Sequence, residues 1–361
     1  AAPGAGHPRL QDLDYRIRWW LASVAWVPAT HTKALPMVGG VSLVDTLRDS
    51  ALAAPLELNM EASQLSEGDL QLLGLALLRT TSLTLNFAQC RGLTVDGCKV
   101  LGQGIATSPD LTTIRLTLDS CLGADPAAIE GIAKGVAVCN LEELSCSLRY
   151  CEVNEEVVRR LVAQPKGRAL QKLSLDLAWC RGVTDEVLGR LAEGLEPCKC
   201  LASLSLDLRQ EHQEYEFGAG GLKALARSLS VLPSISSLSL RLDNSPVFTQ
   251  DVSSILSAAI CAWPLRYLAL HLPGGGDPYE DERAAEELAR GLESQPPLEA
   301  LHLDLGGWHL TPEGAALVWA AVKGLGKVPE LNVSLPAPGG KGMTWVKRMS
   351  QVPEFTMVQE H

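Results

Sequence analysis

The chain has 361 residues, 46% hydrophobic and 20% charged, and this balance argues against an extensively disordered protein. Its formal net charge of -11, with no basic run to offset it, argues against nucleic acid as a partner. No stretch approaches the roughly 18 uncharged apolar residues that a membrane-spanning helix needs, so we do not expect the chain to cross a membrane.

The first 50 residues lack the repeat that organises the rest of the chain. They contain Trp19, Trp20 and Trp26. Because a repeat array needs something to cover the end of its core, we expect residues 1–50 to form an N-terminal cap or an arm that docks onto a larger assembly. We read no targeting segment in the sequence and expect an intracellular, soluble protein, either cytosolic or organellar, with a peripheral place in a complex as an alternative.

From residue 51 to residue 336 the sequence repeats segments of the type Leu-x-Leu-x-Leu. Alternation of apolar and polar residues with a period of two is typical of a strand with one buried face. Successive segments begin 27 to 34 residues apart, and this regularity predicts one array of ten repeats. The predicted strands begin at Leu56, Leu83, Ile114, Leu144, Leu173, Leu204, Leu238, Leu268, Leu301 and Leu331.

Within a repeat, the strand is followed by a turn and then by an amphipathic helix. Leu173, Leu175 and Leu177 alternate with polar residues, and Thr184 is a candidate helix N-cap before an apolar stripe between residues 187 and 195. No single repeat can bury both its strand and its helix, whereas stacked neighbours can. The pattern therefore predicts a curved parallel sheet with a row of helices. The same order recurs with the candidate caps Thr94, Thr249 and Thr311.

The pattern Leu170-x-x-Leu173-x-Leu175 recurs along the array. It resembles the leucine-rich-repeat family, and within that family the ribonuclease-inhibitor-like and cysteine-containing branches. The resemblance covers about residues 56–335. It implies an α/β solenoid, or horseshoe, of about ten repeats, with the parallel sheet on the concave face and the helices on the convex face. Residues 337–361 are then expected to form a C-terminal cap or tail.

Four of the ten cysteines fall three residues after the last apolar strand position in consecutive repeats. In leucine-rich repeats a polar side chain at this position satisfies backbone groups in the turn, so the resemblance implies a buried structural ladder. A tetrahedral zinc site needs convergent ligands, whereas a ladder spaces equivalent atoms by about 5 Å. We therefore expect reduced thiols, no metal and no cofactor. The four are Cys90, Cys121, Cys151 and Cys180.

Polar residues between the second and third apolar positions of each strand are predicted to stand side by side on the concave face, about 4.8 Å apart. We interpret this row as a protein-binding surface. Arg241, His271 and Asp304 would be neighbours, and a histidine between an acid and a base could transfer a proton, which is an enzymatic alternative. No nucleophile, metal partner or enclosed pocket accompanies them, so we do not expect an enzyme. The candidate binding residues are Asp176, Asp207, Arg241, His271 and Asp304, with His302 adjacent.

Two intervals between strands are long, at 34 and 33 residues, and both place their extra length after a strand on the same rim. The segments 209–221 and 273–282 combine acidic residues with aromatic ones, and exposed aromatics supply much of the energy at interfaces. These insertions are a second candidate binding site, and their acidity predicts a partner with a basic patch. The candidate residues are Glu211, Glu214, Tyr215, Glu216, Phe217, Asp277, Tyr279 and Glu280.

The sequence thus favours a non-enzymatic protein–protein interaction module that serves as a scaffold or as an accessory subunit of a larger complex. The principal alternative is a regulatory inhibitor that wraps a basic enzyme. The sequence does not indicate the oligomeric state.

Overall fold

The computed structural model describes most of the repeat array, one short segment before it and two short segments after it. The residues it describes are 35–36, 55–77, 80–121, 125–163, 170–210, 217–242, 250–274, 277–294, 298–336, 343–348 and 356–359.

All ten predicted strands are present and lie parallel to one another, and their order in the sheet is their order in the chain. Alternate residues of each five-residue strand are buried, as the period-two pattern requires. The ten strands are β2 (Leu56–Asn59), β3 (Ser82–Asn86), β4 (Thr113–Thr117), β5 (Glu143–Ser147), β6 (Lys172–Asp176), β7 (Ser203–Asp207), β8 (Ser237–Arg241), β9 (Tyr267–His271), β10 (Ala300–Asp304) and β11 (Glu330–Leu335).

Three further strands, which the repeat pattern does not predict, extend the sheet at its two ends. β1 (Leu35–Pro36) pairs with β2 in parallel. β12 (Met343–Arg348) pairs with β11 and β13 (Thr356–Gln359) pairs with β12, both antiparallel. The backbone edge of β11 is therefore hydrogen-bonded to β12.

A helix connects each strand of the array to the next. Thr94, Thr184 and Thr311 each accept a hydrogen bond from a first-turn N–H, so these three predicted N-caps are confirmed. Thr249 lies outside the described residues. The helices are α1 (Glu67–Ala76), α2 (Val95–Ala106), α3 (Pro126–Val136), α4 (Glu155–Val162), α5 (Asp185–Leu195), α6 (Ala219–Ser230), α7 (Gln250–Ala262), α8 (Pro278–Glu293) and α9 (Pro312–Gly324).

The core lies between the sheet and the helices and runs through the whole array. It joins the inward strand residues, such as Leu173 and Leu175, to the apolar stripe of each helix, such as Leu188 and Leu191. Each fully buried leucine contributes roughly 1.5–3 kcal/mol relative to an exposed one, so the repeats stabilise one another mainly through this layer. The strand side chains that alternate with these buried ones lie on the side of the sheet that faces away from the helices.

The predicted terminal units fall largely outside the described residues. In the segment 1–50 the structure describes only Leu35 and Pro36, and in the tail 337–361 only the backbone of β12 and β13. Trp19, Trp20 and Trp26, the candidate docking arm, also lie outside them. Among the helices that the structure describes, none is both long and apolar enough to cross a membrane.

Candidate functional site

The side of the sheet that faces away from the helices, here called the polar face, carries the predicted row of polar side chains. The strand register places each of these residues directly opposite the next one, so the predicted alignment is confirmed. In order along the sheet, the row is Asn86, Thr117, Ser147, Asp176, Asp207, Arg241, His271, Asp304 and Ser334.

A second aligned row on the polar face consists of small hydroxyl side chains. Ser145, Ser174, Ser205 and Ser239 are opposite one another on β5 to β8 and are half-buried. Because these side chains are short, the middle of the polar face offers hydrogen-bonding groups without projecting bulk.

The two acidic residues in the middle of the first row are paired with arginines of the same chain. The Arg149 Nε atom lies 2.5 Å from Asp176 Oδ2. Arg209 makes a two-pronged contact with the buried Asp207, with distances of 2.8 Å and 2.7 Å. Burial raises the pKa of the Asp176 carboxyl, partly offset by the backbone N–H of residue 178 and by Arg149. These carboxylates therefore provide less free negative charge than the sequence indicated.

The proposed proton-transfer group divides into two pairs. Arg241 lies 3.9 Å from Asp207, on the neighbouring strand, and the His271 Nδ1 atom lies 3.7 Å from Asp304 Oδ2. Hydrogen bonding from His271 lowers the pKa of the Asp304 carboxyl. His302 lies one row away, with its Nε2 atom 3.2 Å from Glu330. The three residues predicted to be neighbours are adjacent in the row. Each histidine, however, contacts a different carboxylate: His271 contacts Asp304, and His302 contacts Glu330.

The first rim insertion brings one correction. Phe217 is 4% exposed and belongs to the core, so its prediction as an exposed aromatic is wrong. It lies two residues before the start of α6, and removal of its apolar ring from water is favourable. Glu211, Glu214, Tyr215 and Glu216 lie outside the described residues.

The second half of the second rim insertion is the start of a helix and not a loop. Asp277 is the N-cap of α8, followed by Pro278, with Tyr279 and Glu280 in the first turn. Asp-Pro followed by acidic residues is a helix-start signal, and the extra length of this repeat lengthens its helix. Tyr279 is 63% exposed, as expected, and the Arg283 guanidinium lies 5.2 Å from its ring.

Carboxylates in the first turn of a helix also accept hydrogen bonds from backbone N–H groups of the next repeat. Asp281 is buried and accepts a hydrogen bond from the His309 N–H at 2.7 Å. In the same way, Asp185 accepts from the N–H groups of Gly218 and Gly221, at 2.7 and 2.9 Å. Gly218 has no side chain to cap α6, so the carboxylate of the preceding repeat replaces the missing cap.

The cysteine ladder is confirmed as structural. All four ladder thiols are free and buried, and each Sγ donates to a backbone carbonyl of the preceding repeat, at 2.7 to 3.0 Å. Burial raises the pKa of Cys121 to about 12 and that of Cys151 to about 11, so these thiols stay protonated at neutral pH. Among the described residues, no cluster of three or more His, Cys, Asp or Glu side chains is arranged to hold a metal ion.

Sequence reasoning missed an aromatic pair beside the polar face. The Tyr150 and Trp179 rings stack with centroids 5.0 Å apart and an interplanar angle of 13°, and Tyr150 is 55% exposed. The guanidinium of Arg209 lies 4.4 Å from the Trp179 ring centroid. A signal was present in the sequence, because in two consecutive repeats the residue directly before the ladder cysteine is aromatic.

Comparison with known proteins assigns no family to this architecture. No family model matches the chain, and no curated protein is similar enough to count as a relative.

Proposed function

We propose that the chain is a leucine-rich-repeat-type solenoid that binds another protein through the polar face, as a scaffold or as an accessory subunit of a larger complex. The observation that carries the proposal is the continuity of this face, which runs in register across ten parallel strands. The repeated strand–turn–helix unit and the cysteine-to-carbonyl ladder support the leucine-rich-repeat assignment.

The size of the polar face supports a protein as the ligand. Ten strands spaced by about 4.8 Å and roughly 16 Å long give an area of about 700 Å². Stable protein interfaces bury about 800 Å² per partner. A partner that covered most of this face would therefore reach the size of a specific complex.

The side chains of the polar face also fit binding better than catalysis. Its serines are short, and the carboxylates in its middle are already matched by arginines. Arginine, tyrosine and tryptophan, which are enriched among residues that dominate interface energies, lie at the adjoining edge. His271 with Asp304 remains a low-ranking enzymatic alternative.

The test is affinity capture from native extract with the tagged full chain and a variant carrying Ser174→Arg and Ser205→Arg. These substitutions place two long side chains side by side in the middle of the polar face. The control variant carries Ala316→Arg and Ala320→Arg at exposed positions of α9, away from this face. We expect a stoichiometric partner with the parent and the control, and its loss with the polar-face variant.

Retention of the same partner by all three proteins would contradict the polar face as the binding surface. If the captured partner is an enzyme, its turnover with and without this chain separates a scaffold from a regulatory inhibitor.

A further inference from the structure

A column of turn residues with positive φ runs along one edge of the sheet, directly after the strands. Each donates its backbone N–H to a carbonyl of the following repeat, at 2.7 to 3.3 Å, so the left-handed conformation is required by the array itself. The column, here called the turn edge, consists of Ala62, Gln89, Ser120, Tyr150 and Trp179, with φ between 53° and 58°.

Two members of the turn edge, Tyr150 and Trp179, are bulky residues in a conformation that bulky residues rarely adopt. Bulky residues adopt positive φ rarely, and glycine or asparagine would be less strained. Tyr150 is more than half exposed, so core packing does not explain its ring. The hydrogen bonds of the array explain the positive φ but not the choice of an exposed aromatic residue there, and that choice is grounds for inferring a binding role.

The charges around the stack of Tyr150 and Trp179 favour an uncharged ring as its ligand. Arg149 and Arg209 lie beside the Trp179 ring, but their charges are matched by Asp176 and Asp207. The stack therefore offers a flat aromatic surface with little net charge beside it. Such a surface accepts the ring of an aromatic side chain or of a proline.

Next to the stack, the turn edge becomes a shallow pocket of about 480 Å³. Of the described residues that line it, Arg91 is the one with a charge, and the others are small or carry amides and hydroxyls. Arg91 is exposed, and its side chain has no ion pair with the described residues. The lining residues are Ala62, Ser63, Gln64, Gln89, Arg91 and Ser120.

We propose that the turn edge binds an extended segment of a protein partner, with an aromatic residue or proline on Tyr150 and an aspartate or glutamate at Arg91. The proposal rests on the proposed function and specifies which side chains the partner presents to this chain. The two positions are two strands apart, or about 10 Å, which an extended peptide spans in about three residues. The amides and hydroxyls between them suit the backbone of that peptide.

The acidic preference is opposite to the basic partner that the net charge of the chain suggests. At physiological salt, charges further away than about 8 Å are largely screened, so the charges that matter at this pocket are Arg91 and the two acids that adjoin lining residues in the chain, Glu61 and Asp119. Asp119 accepts hydrogen bonds from the Ser147 hydroxyl and the Arg149 N–H, and Asp176 and Asp207 are paired with arginines.

The experiment selects random twelve-residue linear peptides displayed on phage against the full chain, and measures the affinity of the selected peptide by fluorescence anisotropy. We expect a consensus with an aromatic residue or proline about three positions from an acidic residue. Tyr150→Asn and Arg91→Gln should each weaken binding at least tenfold. Asparagine tolerates positive φ, so thermal unfolding of Tyr150→Asn should stay close to that of the parent.

The control substitution is Arg227→Gln, which removes an exposed arginine from α6 and should leave the affinity unchanged. Replacing the acidic residue of the peptide by its amide should weaken binding to the parent and should have little further effect on Arg91→Gln, because the two groups form one pair.

A consensus rich in lysine or arginine would overturn the proposal, as would peptides that bind Tyr150→Asn as tightly as the parent. A selection that enriches no peptide would overturn it too, including the case in which another part of this chain covers the turn edge. Capture through Ser174 and Ser205 tests the proposed function separately, so the two can fail independently.

Discussion

The turns after β3 to β6 and the turn after β10 place different side chains in the same buried position. After β3 to β6, a cysteine thiol donates to the carbonyl of the preceding repeat. After β10, Trp308 occupies the equivalent position, and its indole Nε1 donates to the Leu272 carbonyl at 3.0 Å. The turn therefore requires a donor in a buried place, and the array accepts a side chain of very different size to supply it.

The helices differ along the array as well. Between α2 and α3, a Cβ atom on Gly102 would lie 2.0 Å from the Gly131 carbonyl oxygen, so the backbones touch directly. In α5, a Cβ atom on Gly189 would have nothing within 4 Å. Glycines in different helices of the array thus have different packing roles.

The largest expected effect on stability tests the difference between Gly102 and Gly189. Gly102→Ala forces the α2 and α3 backbones apart, and we expect it to lower the free energy of unfolding by about 3 kcal/mol. Gly189→Ala is the matched control and should raise it by roughly 0.5 kcal/mol, since alanine is the better helix former. Urea unfolding of both variants measures this, and equal effects would show that the close approach is not needed.

The next effect addresses the turns. Trp308→Phe keeps most of the buried ring but leaves the Leu272 carbonyl without its donor, and we expect a loss of about 2 kcal/mol. Cys180→Ser keeps a donor at the corresponding place and should lose less than about 1 kcal/mol. The same unfolding measurement applies. A loss for Trp308→Phe no greater than that for Cys180→Ser would argue against the common role of the two side chains.

The thiols make the turns after β3 to β6 sensitive to alkali, whereas the indole of Trp308 in the turn after β10 does not titrate. Burial raises the pKa of Cys121 to about 12 and that of Cys151 to about 11, while an unfolded thiol titrates near roughly 8.5. Above that value the unfolded chain releases protons that the folded chain retains. The stability is therefore complete below about pH 8.5 and falls as the pH rises towards the folded values.

We expect Cys121→Ser to reduce this fall by about 1 kcal/mol per pH unit between about pH 9 and 11, compared with the parent. Between pH 7 and 8 the difference between the two proteins should be constant, which serves as the internal control. Parallel stability curves up to pH 11 would contradict the assignment.

The smallest effect concerns the cap that crosses from one repeat to the next. Asp185→Ala removes the acceptor of the Gly218 and Gly221 N–H groups and should lower stability by about 1 kcal/mol. Glu186→Ala removes the same charge from the same helical turn without breaking these bonds. If both variants lose equally, the helix dipole of α5 and not the cap of α6 explains the effect.

The repeat, the strand starts and the row on the polar face could all be predicted because they depend on short-range periodicity. Leu173, Leu175 and Leu177 identify a buried strand face, and repetition of that pattern fixes which residues are opposite one another. The ladder of cysteines followed from the same alignment.

What could not be predicted depends on contacts between residues of different repeats. Phe217 is acidic-flanked in sequence but lies in the core, and Asp281 reaches the backbone of the next repeat. Arg149 matches the charge of Asp176 from a turn 27 residues earlier. A one-dimensional pattern carries no information on which side chains reach across such separations.

The sequence by itself therefore determined the order of strands and helices, their register and the buried ladder, because the periods of two and about 30 residues are local and repeated. The tertiary structure decided which charges are matched, which aromatic rings are exposed and where a partner segment could lie. Those outcomes depend on contacts between side chains of adjacent repeats, which are far apart in the sequence.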